Sequence, residues 1–144
     1  MAPRARFLLS LTAAGVLAGT AAFGAPVSEG GKRYVVQMTG AAEIPPGDPD
    51  GSGTAIITVN KGQQRVCWDI TVSGVETIAA AHIHIGMAGQ AFPGNIVVPL
   101  SPTSGCTDVT NEELLDALIK APQVFYVNVH NATYPTGALR GQLG

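Results

Sequence analysis

Alternation of apolar and polar residues is the first regularity along this chain. Between positions 65 and 73, Val66, Trp68, Ile70 and Val72 alternate with Cys67, Asp69, Thr71 and Ser73, the period-two pattern of a strand with one face in a core. Shorter runs of similar character occur at 34–39, 54–60, 79–85, 96–100, 123–131 and 138–143. Asn60-Lys61-Gly62-Gln63 separates the run at 54–60 from that at 65–73 as a hairpin turn. Pro45-Pro46-Gly47-Asp48-Pro49-Asp50-Gly51 cannot hold a strand and forms a loop or wide turn. One segment changes period. Leu114, Leu115 and Leu118 form an apolar stripe at helical spacing, Thr110 with Glu113 three residues on makes a capping box, and Ala121-Pro122 ends it, which predicts a helix over about 110–120. Together these elements predict an all-β fold, a Greek-key β-sandwich or barrel of about 7–8 short strands with one short helix.

The N-terminus follows neither period. Arg4 and Arg6 precede an uncharged apolar stretch at 7–22, and Ala22-Phe23-Gly24 offers small residues for cleavage, the pattern of a signal peptide over 1–24. A short linker, 25–32, then leads into one domain, 33–144. Ala5 separates the two arginines, so the leader reads as Sec-type, and no cysteine lies near the cleavage site for lipid attachment. The mature chain is therefore expected outside the cytoplasm. It contains no apolar run of about 18 residues, so no membrane span is expected in it. In an exported chain the even count of cysteines, Cys67 and Cys106, predicts a disulfide. Closing that loop stabilises by roughly 4 kcal/mol in the chain-entropy model.

Composition matters at one point. Charged residues make up only 12% of the chain, against about 25% in ordinary domains. The full chain carries 8 basic and 10 acidic side chains, and losing Arg4 and Arg6 leaves six against ten, a formal net of −4. That balance argues against nucleic acid or anionic lipid as a partner.

The histidines carry the chemical signal. His82 and His84 are two apart on the strand at 79–85 and project from one face, with Ile83 and Ile85 on the other. His130 shares a face with Tyr126 and Asn128. If the two strands meet, three imidazoles converge, a workable set for one zinc or copper ion with an open position. In the competing reading the rings bond to backbone or to Asn128 and hold loops in place. No second metal set is available, because every histidine is used and Asp69 lies on another strand. Asp48-Pro49-Asp50-Gly51 lacks the ligand series of a calcium loop and reads as a turn. Asn131-Ala132-Thr133 is a glycosylation sequon. There is no G-x-S-x-G or C-x-x-C motif to support a hydrolase or a redox dithiol.

Four segments in order carry a family resemblance: Glu43-Ile44-Pro45-Pro46, Ala81-His82-Ile83-His84-Ile85-Gly86, Tyr126-Val127-Asn128-Val129-His130, and Pro135-Thr136-Gly137-Ala138-Leu139-Arg140-Gly141-Gln142-Leu143. Over about 35–143 the chain resembles the CHRD domain, named after chordin, an extracellular antagonist of bone morphogenetic proteins. Ala91-Phe92-Pro93-Gly94-Asn95 departs from the glycine-asparagine-glycine turn more usual in that family. The resemblance implies fold and compartment and supplies no activity. More distantly, the order of His82, His84, His130 and Arg140 is similar to the copper ligands and active-site arginine of copper–zinc superoxide dismutases. By that analogy the histidines would hold copper and Arg140 would steer an anion. The bridging histidine, zinc histidines and aspartate of that family have no counterparts here, so only a mononuclear site remains open.

Two functional expectations follow. In the first, the protein is an exported, disulfide-stabilised binding or structural module without catalytic activity. The histidines and Arg140 then buttress loops, and the partner is an extracytoplasmic protein or cell-envelope component. In the second, it is a mononuclear copper or zinc protein using His82, His84 and His130, acting in metal handling or in redox defence.

Overall fold

The computed structural model describes residues 30–90 and 95–144. The predicted leader and most of the linker lie outside the described residues, as does most of the unusual turn at 91–95.

Among the described residues the chain forms eight strands: β1 Lys32–Thr39, β2 Ser52–Asn60, β3 Arg65–Ser73, β4 Ala80–Ile85, β5 Ile96–Leu100, β6 Ser104–Asp108, β7 Phe125–His130 and β8 Leu139–Gln142. One helix, α1 Glu112–Lys120, joins β6 to β7. The strands make a single sheet of order β5-β4-β7-β8-β1-β2-β3-β6, antiparallel at each pairing. Strands β5 and β6 at its two edges approach each other, so the sheet nearly closes into a barrel. The all-β expectation holds. Three connections, β3 to β4, β5 to β6 and β6 to β7, link strands on opposite sides of the gap between the edges. No helix among the described residues is long and apolar enough to cross a membrane.

The alternation read at 65–73 works as anticipated: Val66, Trp68 and Ile70 are buried in the barrel interior, beside Ile57, Ile83 and Val127 from neighbouring strands. At the turn between β2 and β3 the Asn60 side chain accepts the Gln63 N–H at 2.9 Å. Gln64 takes the left-handed conformation at φ 49°. Strand β6 went unread because Ser104-Gly105-Cys106-Thr107-Asp108 has no aliphatic residue. It is held to β3 by register and by the Cys67–Cys106 disulfide between directly paired residues, with Cα atoms 4.0 Å apart. The predicted disulfide is therefore present.

The helix starts one residue later than its sequence signature suggests. Asn111, not Thr110, is the cap: its side chain accepts the Leu114 N–H at 3.0 Å. With Asn111 as cap the third helical residue is Leu114, so the capping box with Glu113 does not form. Leu115 and Leu118 are fully buried in the core. The Tyr34 hydroxyl, from β1, donates to the Leu118 carbonyl at 2.8 Å, one of the last carbonyls that a helix leaves without an internal partner. The helix thus lies at the barrel end where β1 starts and β2 finishes. The histidine-bearing end of β7 is at the other.

Candidate metal centre

Strand β7 reads Phe-Tyr-Val-Asn-Val-His, and Phe125, Val127 and Val129 fill the interior. Its alternate residues, Tyr126, Asn128 and His130, therefore face outward. The register aligns these with outward residues on both sides: Asn128 lies opposite His82 on β4 and Arg140 on β8, His84 lies opposite Tyr126, and Ala80 lies opposite His130. Polar side chains from three adjacent strands thus form one layer on the outside of the barrel wall. This layer is not bathed in water. His84, Asn128 and Arg140 are each no more than 5% exposed.

The loops that follow β1 and β4 cover it. From the first comes Glu43, 6% exposed: burial pushes its carboxyl above the usual carboxylate range, against the hydrogen bond it takes from the Asn128 side chain, the nearby Arg140 charge and a bond from the Ile44 N–H. Gly137 is required beneath it: at φ 151° a side chain is disfavoured, and a Cβ would collide with the Glu43 carboxyl. The second loop is tied down by Arg140, which donates to the carbonyls of Met87 at 2.9 Å and Gln90 at 3.4 Å. Gln142 adds a bond to the Gly86 carbonyl at 2.7 Å. The Arg140 guanidinium also lies 3.6 Å from the Tyr126 ring centroid, and Tyr126 stacks on His84 at 4.9 Å with the planes 6° apart. Arg140, Tyr126 and His84 form a three-layer stack that fixes the orientation of His84.

The three sequence-predicted histidines do come together. One ring nitrogen from each lies within 4.8 Å of the others, and among the described residues they are the metal-capable group of this kind. His82 Nδ1 and His130 Nε2 are 3.1 Å apart. The His130 Nδ1 atom is 3.1 Å from the Pro135 carbonyl oxygen. A carbonyl can only accept, so Nδ1 carries the proton, and in the neutral ring Nε2 is a lone pair directed at His82 and Asn128. Burial and the neighbouring imidazoles push His82 down to about 4. Burial also lowers His130, against the opposing pull of the Pro135 carbonyl. Both rings are therefore neutral near pH 7, as metal ligation requires.

Other candidates fall elsewhere. Ile85, placed by alternation on the same face as Ile83, is 45% exposed at the last position of β4. Asp48 accepts the Asp50 N–H at 3.1 Å in a local turn, as its sequence suggests. Asn131 of the sequon is 2% exposed, accepts the Tyr134 N–H at 2.7 Å and has its Nδ2 enclosed, so the folded chain does not present it for glycosylation. Reading the residues singly missed Glu43 as a site residue. The available signal was a lone carboxylate beside Pro45-Pro46 in a chain with few charges.

Comparison with known proteins adds one positive finding: the family model for the CHRD domain matches residues 34–143. No curated protein and no solved structure matches the chain significantly.

Proposed function

The chain belongs to the CHRD domain family, and from that premise we propose that it works outside the cytoplasm as a binding module holding one copper or zinc ion with His82, His84 and His130. Export is supported by the leader pattern at 1–24 together with the Cys67–Cys106 disulfide, a bond that persists in oxidising compartments.

The observation that carries the metal reading is the state of His130. With Nδ1–H committed to Pro135, the remaining nitrogen offers its lone pair into the group it forms with His82 and His84. A metal-bound histidine characteristically donates its second ring N–H to a backbone carbonyl or carboxylate, and His130 has that partner already. Zinc–nitrogen bonds of about 2.0–2.1 Å put tetrahedral donors about 3.4 Å apart, so the 3.1 Å pair is near its final spacing. The 4.8 Å spread requires the third ring to draw in by about 1.4 Å. Three protein ligands leave a position open for water or a small ligand. Arg140 has a different part: its guanidinium is buried and spent on loop carbonyls, which supports a structural role over steering of an anion.

Metal analysis of protein purified without chelator tests this reading, with melting temperatures recorded on addition of Zn²⁺ or Cu²⁺. Near-stoichiometric metal that His82→Ala and His130→Ala both lose, together with a rise in melting temperature, is the expected result. Less than about a tenth of an equivalent, with no thermal shift, overturns it. The histidines would then be ties between β4, β7 and the loop at Pro135.

A further inference from the structure

Asn128 makes an unusual contact. Its Oδ1 lies 3.1 Å from His130 Nε2, the same separation that His130 Nε2 has from His82 Nδ1. With the His130 proton on Nδ1, both Oδ1 and Nε2 are acceptors, and two acceptors at hydrogen-bond distance repel unless a proton or cation lies between them. Reversing the amide would remove the conflict at His130. It would also turn the amide oxygen toward the Glu43 carboxyl, which as drawn takes a hydrogen bond from Asn128. Glu43 thus holds the oxygen of Asn128 facing the histidines.

We propose that Asn128 Oδ1 is a fourth donor to the metal ion and that Glu43 is the positioning residue that aims it. This rests on the histidine site proposed above and extends it to three nitrogens and one oxygen. Bonds of about 2.1 Å put neighbouring donors roughly 3.0–3.4 Å apart across octahedral to tetrahedral geometry, and both 3.1 Å separations at His130 fall in that interval. Register supplies the placement: Asn128 sits between His82 on β4 and Arg140 on β8. Glu43 has the Arg140 charge nearby, yet its buried carboxyl is incompletely satisfied. Its Oε1 has no hydrogen-bond partner among the described residues, an arrangement that costs stability in a purely structural site. A carboxylate one step behind the donors offsets the charge of a divalent ion, as the outer partners of metal sites commonly do. An oxygen among imidazoles makes the set harder than one of nitrogen or sulfur alone. The chemical class that fits is therefore a borderline divalent ion, Zn²⁺ or Cu²⁺, in preference to Cu⁺.

Titration of the full chain with Zn²⁺ and with Cu²⁺ by calorimetry, alongside electron paramagnetic resonance of the Cu²⁺ form, tests this. Asn128→Asp places an anionic oxygen where the amide oxygen stood, and about tenfold tighter binding with an altered Cu²⁺ spectrum is expected. A merely structural asparagine would give no gain, because a second carboxyl beside Glu43 only adds repulsion. Glu43→Gln keeps the shape and removes the charge, and binding about tenfold weaker is expected, within the range seen for outer-sphere partners. Both variants retain a full-sized side chain, so the test does not depend on Asn128→Ala folding. If wild type binds metal and His82→Ala abolishes it while Asn128→Asp binds no tighter with an unchanged spectrum, Asn128 is no ligand. If Glu43→Gln binds like wild type, its positioning role is overturned. Absence of binding to wild type overturns the histidine site and this extension together.

Discussion

Strands β1 and β7 carry the same alternating pattern and meet opposite surroundings. On β1, Tyr34, Val36 and Met38 enter the core while Arg33, Val35, Gln37 and Thr39 remain exposed. On β7, Phe125, Val127 and Val129 enter the core, yet Tyr126 and Asn128 on the opposite face are buried as well. A polar side chain facing water costs little, whereas a covered one must be hydrogen-bonded or it destabilises the fold. The β1 face is accordingly simple. The face shared by β4, β7 and β8 is a connected set in which Glu43, Asn128, His130 and His82 touch in turn and Arg140 ties the covering loop. Such a layer needs more specification than a barrel wall requires, and that excess is the reason the proposed site is placed there.

The largest effect should arise away from the histidine layer, at the β3–β6 edge of the sheet. Cys67 and Cys106 staple the short edge strand β6 to β3 across 39 residues of sequence. Replacing both with alanine should lower unfolding free energy by about 4 kcal/mol in urea titrations. A loss under about 1 kcal/mol would mean that β6 docks through its own pairing, and that neither face depends on a cross-link.

Next comes a matched pair of arginines. Arg140→Met leaves the Met87 and Gln90 carbonyls and the Glu43 carboxyl without their guanidinium, and a cost of about 3 kcal/mol is expected. Arg33→Met, on the exposed face of β1, should stay within about 0.5 kcal/mol of wild type. Equal losses at the two positions would erase the distinction between the faces.

The smallest effect is a pH dependence confined to the covered face. His82 is held at about 4, against an ordinary value of 6.5. The unfolded chain therefore binds a proton that the folded chain refuses, and stability in chelator should fall as pH drops from about 6.5 toward 4. The sign follows because the unfolded state holds more protons in that window. His82→Gln should flatten the slope in melting temperatures taken between pH 7 and pH 5. An unchanged slope would place the acid sensitivity elsewhere.

Much of this was legible from residues alone. The H-x-H spacing put His82 and His84 on one face, and the pattern at 123–131 put His130 with Tyr126 and Asn128. Glu43 was not legible as a site residue because it reaches Asn128 from a loop 85 positions away in sequence. No periodicity in a loop reports where a side chain will land. Strand β6 escaped for a related reason: its place is set by its partner and a disulfide, not by apolar residues of its own.

The sequence by itself determined the class of fold, the pairing of two cysteines and the choice of which side chains leave the core, because alternation and residue chemistry are local properties of the chain. Tertiary structure decided that the outward side chains of β4, β7 and β8 would be buried and not solvated. It also decided that Asn128 would stand between His82 and Arg140, and that a distant carboxyl would set the direction of its amide. Those outcomes depend on inter-strand register and on loops folding back over the sheet. Both are fixed only when the whole barrel closes, since a polar group's energy depends on what finally covers it.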